Sequence, residues 1–96
     1  MEREDTEIDD MKIVGETVEF RSGEGFFEKE LSGRKPNTER ILSGPDRYDI
    51  MSCSEIKIIF TSNPKNSFTR KITDISVVGE LLGKYFVVIS WKHEGV

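Results

Sequence analysis

A chain of 96 residues with a net charge of −4 and a third of its side chains charged has room for one domain with a modest core, and no more. It has no apolar run near the roughly 20 residues that cross a bilayer, which excludes a transmembrane helix. Its single cysteine, Cys53, excludes an internal disulfide and a thiolate metal cage.

Residues 1 to 10, "MEREDTEIDD", set Glu2, Glu4, Asp5, Glu7, Asp9 and Asp10 against Arg3 alone. Such a stretch reads as a solvated, disordered acidic tail, with one folded domain over 11 to 96. It is the opposite of a targeting segment, so the simplest expectation is a cytoplasmic protein. The body beyond it is close to neutral, which excludes strong nonspecific attraction to a polyanion without excluding a polyanion as ligand.

"MKIVGETVEF" (11 to 20) places Val14, Val18 and Phe20 at even spacing and predicts a strand. "RSGEG" breaks the pattern, with Ser22 as a candidate cap. In "EGFFEKELSG", Phe27 and Leu31 stand four apart and Gly33 occupies a left-handed stop, which predicts a short helix. Lys35 before Pro36 is pushed to extended backbone, so "NTERIL" continues as a strand.

"SGPDRYD" carries turn chemistry, and an irregular loop is expected up to Ser54. "EIKIIF", "FTRKITDI" and "KYFVVISW" read as three further strands. "TSNPKNS" joins the first two as antiparallel neighbours, "GELLGK" forms a turn or one helical turn, and the last strand is central.

The predicted class is therefore mainly β (α+β). It is a small, mostly antiparallel β-barrel of about five strands, with one short helix after the first strand plugging an opening. Four strands after a single helix exclude a doubly wound parallel sheet.

Chemistry concentrates at "SGRKPNTER" (32 to 40). A lysine at the mouth of an apolar cleft loses hydration and becomes a usable base, and a threonine hydroxyl needs such a base to be nucleophilic. Lys35 and Thr38 are three apart across the constrained Pro36. Arg40 shares strand parity with Thr38, and its fork of donors suits phosphate or a carboxylate. The plain alternative is a solvated Lys35, a β-favouring Thr38 and an internal ion pair for Arg40, with Asp74 among its partners.

Arg47 and Tyr48 form a second candidate, a cation beside a flat ring able to hold a phosphate and stack a base; its plain alternative is a surface turn. Trp91 fits core packing better than base stacking. His93, the sole histidine, stands in a frayed tail and supports neither a triad nor a metal site. Neither a metal nor a cofactor is expected.

Gly33, Lys35 and Arg40 spell G-x-K-x-x-x-x-R after the aromatic helix "FFEKELSG", with "FTRKITDI" and "KYFVVISW" following. In that order these segments resemble the ASCH family of the PUA-like superfamily over about residues 18 to 92. The resemblance implies a PUA-like barrel with a cationic cleft beside the motif that binds RNA or a modified nucleoside. Arg34, Lys35 and Arg40 would line it, with Arg47 and Tyr48 added by the residue reading.

One branch of that family is an amidohydrolase that deacetylates N4-acetylcytidine through a lysine, a threonine and a glutamate. Its segment G-R-K-x-x-T-x-R is matched by Gly33, Arg34, Lys35, Thr38 and Arg40. The resemblance thus carries over Lys35 and Thr38 as a reactive pair. The branch's glutamate lies in a longer insertion between the last two strands, which "SVVGELLG" replaces here, and Glu80 is its nearest substitute. Nucleoside or RNA binding is the leading expectation, amide hydrolysis the alternative and a protein-interaction adaptor the third.

Overall fold

The computed structural model describes residues 8 to 93, so Arg3 and the carboxylates up to Glu7 in the acidic head lie outside the described residues. In chain order the elements are β1 (Lys12–Val14), β2 (Thr17–Ser22), α1 (Phe26–Ser32), β3 (Asn37–Leu42), α2 (Gly44–Asp49), a 3-10 turn (Ile50–Ser52), β4 (Glu55–Phe60), β5 (Ser67–Leu81) and β6 (Lys84–Trp91). The strands form one mixed sheet in the order β1-β2-β4-β5-β6-β3. All neighbours are antiparallel except β2 and β4, which run parallel with Thr17 beside Glu55 and Ser22 beside Phe60.

Several expectations are corrected. The strands number six because "MKIVGETVEF" splits at Gly15-Glu16 into the hairpin β1–β2, where positive φ at Gly15 turns the chain. The "SGPDRYD" stretch is helical. Ser43 caps it by accepting a hydrogen bond from the Asp46 amide, and Pro45 fits the first turn, where an amide proton is not needed. The sheet is also not a closed barrel, since β1 and β3 remain its edges.

The two ends of the sheet nevertheless meet through side chains. Arg40 on β3 donates to the Arg21 carbonyl and to Ser22 Oγ on β2. Asp9 serves as a one-residue strand partner for Ile41, its amide donating to the Ile41 carbonyl and its carboxylate accepting from the Ile41 amide. The Arg40 side chain thus links β3 to the end of β2 with no backbone ladder between them.

Alternate positions of each strand supply one core: Val18 and Phe20 from β2, Leu42 from β3, Ile56 and Ile58 from β4, and Val87, Ile89 and Trp91 from β6. Phe27 of α1 stacks on Phe60 at 4.9 Å between centroids and leans on Phe68, fixing the helix against the sheet. Gly33 ends α1 at φ 88, in the left-handed region, and the His93 ring lies 2.6 Å from where a Cβ would stand. His93 is therefore packed against the helix end instead of fraying.

β5 carries bulges at the register shifts between Ile72 and Asp74 and between Val77 and Gly79. It continues to Leu81, so the turn expected over "GELLGK" reduces to Leu82 and Gly83, both with positive φ as a type I′ hairpin requires. No described helix is long and apolar enough to cross a membrane.

Cys53 is buried at the foot of β4. Burial pushes its thiol up, and the carboxylates of Asp49 and Glu16 push in the same direction. The folded chain then holds this proton more tightly than the unfolded chain does. The associated stability is complete below the unfolded thiol value of about 8.5 and is lost as pH rises from there toward the folded value. Urea melts between about pH 8 and 9.5 are expected to show this loss in the wild type and a flatter profile in Cys53→Ala. Parallel losses in both proteins would assign the effect to other groups.

Candidate functional site

α1, the "SGRKPNTER" connection and the start of β3 enclose a hollow of about 360 Å3 against the end of β2. It is lined by Lys35, Thr38 and Arg40, so the three groups singled out in the sequence converge. Asp9, Ser22 and Glu30 line it with them.

Glu30 is the surprise of the site. It is 1% exposed, one turn after Phe26 on α1. A carboxylate so deeply buried must be paired and hydrogen-bonded. Its Oε1 accepts from Ser22 Oγ at 2.8 Å, and its Oε2 lies 3.8 Å from Lys35 Nζ. The Lys35 ammonium also donates to the Asn37 carbonyl at 2.9 Å and stands 5.9 Å from the Phe26 ring centroid.

Arg40 holds the centre. Its Nε donates to Thr38 Oγ1 at 2.9 Å, while Nη1 and Nη2 each reach β2 at 2.8 Å. Its Cζ lies 4.8 Å from the Phe20 centroid, and Asp9 is 4.0 Å away. Burial pushes the guanidinium pKa down, opposed by the carboxylates of Asp9 and Glu30. Thr38 is buried, and its hydroxyl makes no other hydrogen bond among the described residues. A hydroxyl oxygen that accepts from a guanidinium is polarised toward its alkoxide form, as nucleophilic use requires.

Other predicted positions lie elsewhere. Glu80 is exposed near the end of β5, opposite Tyr85, and does not line the hollow; the carboxylate beside Lys35 is Glu30. Arg34 is exposed and turned back to Ser32 Oγ at 3.2 Å. Arg47 and Tyr48 sit on α2, away from the hollow, with the Arg47 Cζ between the Tyr48 and Tyr85 rings at 4.6 and 5.0 Å. That sandwich engages the cation internally, although Tyr48 is exposed. Arg40 is paired with Asp9 and not with Asp74.

The sequence held a signal for Glu30: spaced with Phe27 and Leu31 as i, i+3 and i+4, it places a carboxylate on the apolar stripe of α1. Asp9 had none, because its partners are 31 and 32 positions away on β3. The lining balances Asp9, Glu30 and Glu39 against Arg21, Lys35 and Arg40. Among the described residues, no group of His, Cys, Asp and Glu has the arrangement of a metal site. No family model, curated protein or solved structure matches this chain.

Proposed function

We propose that this chain is an ASCH-like, PUA-like domain that binds a compact, uncharged ligand of nucleoside size, a modified cytidine being the leading class. One observation carries the reading: Glu30, Lys35, Thr38 and Arg40 face one hollow of about 360 Å3. That volume falls within the roughly 300–1,000 Å3 of small-molecule sites. The balanced charge of the lining supports a nucleoside over a polyanion. A polyanion needs surplus cations, whereas a nucleoside needs paired donors and acceptors such as these.

Titration calorimetry with N4-acetylcytidine, cytidine and a short oligouridine tests this. The nucleoside is expected to bind, and Thr38→Val, which keeps shape and removes the hydroxyl, to weaken binding about tenfold. If neither nucleoside binds while the oligonucleotide does, with a steep salt dependence, the protein is an RNA binder and the nucleoside reading fails.

The contact between Lys35 and Glu30 favours a second reading, amide hydrolysis. In it Thr38 Oγ1 attacks the acyl carbon as its proton passes to Lys35, whose own proton moves to the Glu30 carboxylate. The amine leaves with a proton relayed through Lys35 and Glu30, and water then cleaves the acyl-threonine ester. Cytidine release from N4-acetylcytidine that persists in Lys35→Ala and Thr38→Ala would remove these roles.

A further inference from the structure

The hydrogen-bond parity of β3 leaves one backbone donor and one acceptor unused inside the hollow. The Pro36 carbonyl accepts from the Trp91 amide on β6, so the even positions that follow it face β6. The odd positions Asn37, Glu39 and Ile41 turn their amides and carbonyls to the open edge, and the bonding of Ile41 to Asp9 agrees with that alternation. Asp9 holds both groups of Ile41, and the Lys35 ammonium holds the Asn37 carbonyl. Between them, the Glu39 N–H and C=O have no partner among the described residues. Of the three residues, it is Glu39 that lines the hollow.

A single free rung selects its occupant. A strand adding to this edge, from a peptide or from a second copy, needs successive rungs, and Lys35 and Asp9 block those on either side. A small planar group needs only one. The N–H and C=O of one extended residue point the same way, side by side, so they match a flat ring that carries an acceptor next to a donor. The pairing edge of cytosine is such a ring: N3 accepts, and the N4–H beside it donates. Acetylation at N4 leaves one N4–H, so N4-acetylcytidine keeps the pattern.

The hollow also offers a surface for the face of such a ring. Phe26, the first residue of α1, lines it while 59% exposed. A nucleobase covers a wet aromatic ring by stacking while its edge pairs with the backbone.

We propose, on the nucleoside reading of this hollow, that the Glu39 backbone recognises the base. Its amide donates to N3, its carbonyl accepts from N4–H, and Phe26 stacks on the ring. The recognising groups are main-chain atoms, so no residue type marks them in the sequence.

Calorimetry in a crossed design tests the contact. N4-acetylcytidine is compared with its deaza analogue, in which C–H replaces ring N3. Each is titrated into Glu39→Ala, which keeps the backbone N–H, and into Glu39→Pro, which lacks it. Proline suits this position because an N–H facing outward from an edge strand belongs to no ladder. The analogue is expected to bind about tenfold more weakly than its parent to Glu39→Ala, and within about twofold of it to Glu39→Pro, where the donor is already gone. Phe26→Ala is expected to weaken both ligands about tenfold without altering the ratio between them.

A tenfold loss for the analogue in both Glu39 variants, or in neither, overturns the proposal while the nucleoside reading stands. So does binding that Phe26→Ala leaves unaffected. Failure of N4-acetylcytidine to bind wild type removes the nucleoside reading and this contact with it. If Glu39→Pro loses its fold by circular dichroism, wild type decides: equal affinities for the two ligands overturn the contact, and a preference of about tenfold for the parent upholds it.

Discussion

Arg40→Ala is expected to lower the stability of the fold by about 3–5 kcal/mol, the range for removing one partner from a buried charged network. The guanidinium makes three hydrogen bonds, to Thr38, Arg21 and Ser22, and stands against Asp9. Alanine leaves Glu30 buried with less countercharge and leaves the seam between β3 and β2 with no bond across it from Arg40. For a domain of this size the loss corresponds to a Tm lower by at least about 12 °C. Arg40→Lys keeps the charge but cannot point three donors in three directions, so it is expected to fall between the two. Urea unfolding of the three proteins measures this, and a loss below about 1 kcal/mol for alanine would show that the seam is held elsewhere. Arg40→Ala is also a poor probe of ligand binding, because a partly unfolded protein loses affinity for trivial reasons.

Glu30→Gln is expected to do something different: to change what the hollow prefers. The amide carbonyl still accepts from Ser22, so the buried bond is retained, while the charge facing Lys35 and Arg40 disappears. The lining then carries one surplus cation. The ratio of cytidine monophosphate affinity to cytidine affinity is expected to rise roughly tenfold at low salt and to shrink as salt is added. Stability is expected to fall by about 1–3 kcal/mol, for a charge-assisted bond made neutral and two cations left closer to repulsion. Glu30→Ala, which also leaves Ser22 without its acceptor and opens a void, is expected to be worse. An unchanged affinity ratio in Glu30→Gln would mean that this carboxylate does not set the charge of the ligand.

Much of this architecture was legible in local patterns. Alternation marked "EIKIIF" as a strand, a continuous apolar run marked "KYFVVISW", and Gly33 marked the end of α1, because those signals act over a few residues. "TSNPKNS" joins β4 and β5 as antiparallel neighbours for the same reason. The split at Gly15 was hidden by even spacing that continued across the turn. α2 was hidden because Ser43, Gly44 and Pro45 serve equally as turn residues and as a helix cap. The parallel pairing of β2 with β4 left no local trace, since the two strands are separated by α1, β3 and α2.

In the site, the motif identified Lys35, Thr38 and Arg40, whereas the carboxylate was sought at Glu80. Glu80 is the nearest carboxylate by position along the chain, whereas the one that reaches Lys35 comes from α1. Asp9 entered through a pairing that only the folded chain creates.

The parallel register of β2 and β4 also governs the order of events as the chain first folds. Thr17–Ser22 has no ladder on that side until Glu55–Phe60 exists, and Asn37–Leu42 has none until Lys84–Trp91 does. Contacts of such long sequence separation must meet the entropy of loop closure before they return anything. During synthesis at about 5–20 residues per second, the nascent chain thus spends seconds with β3 unpaired and β2 paired only to β1. Shape arrives late and all at once, when the final strand slides in between its two neighbours.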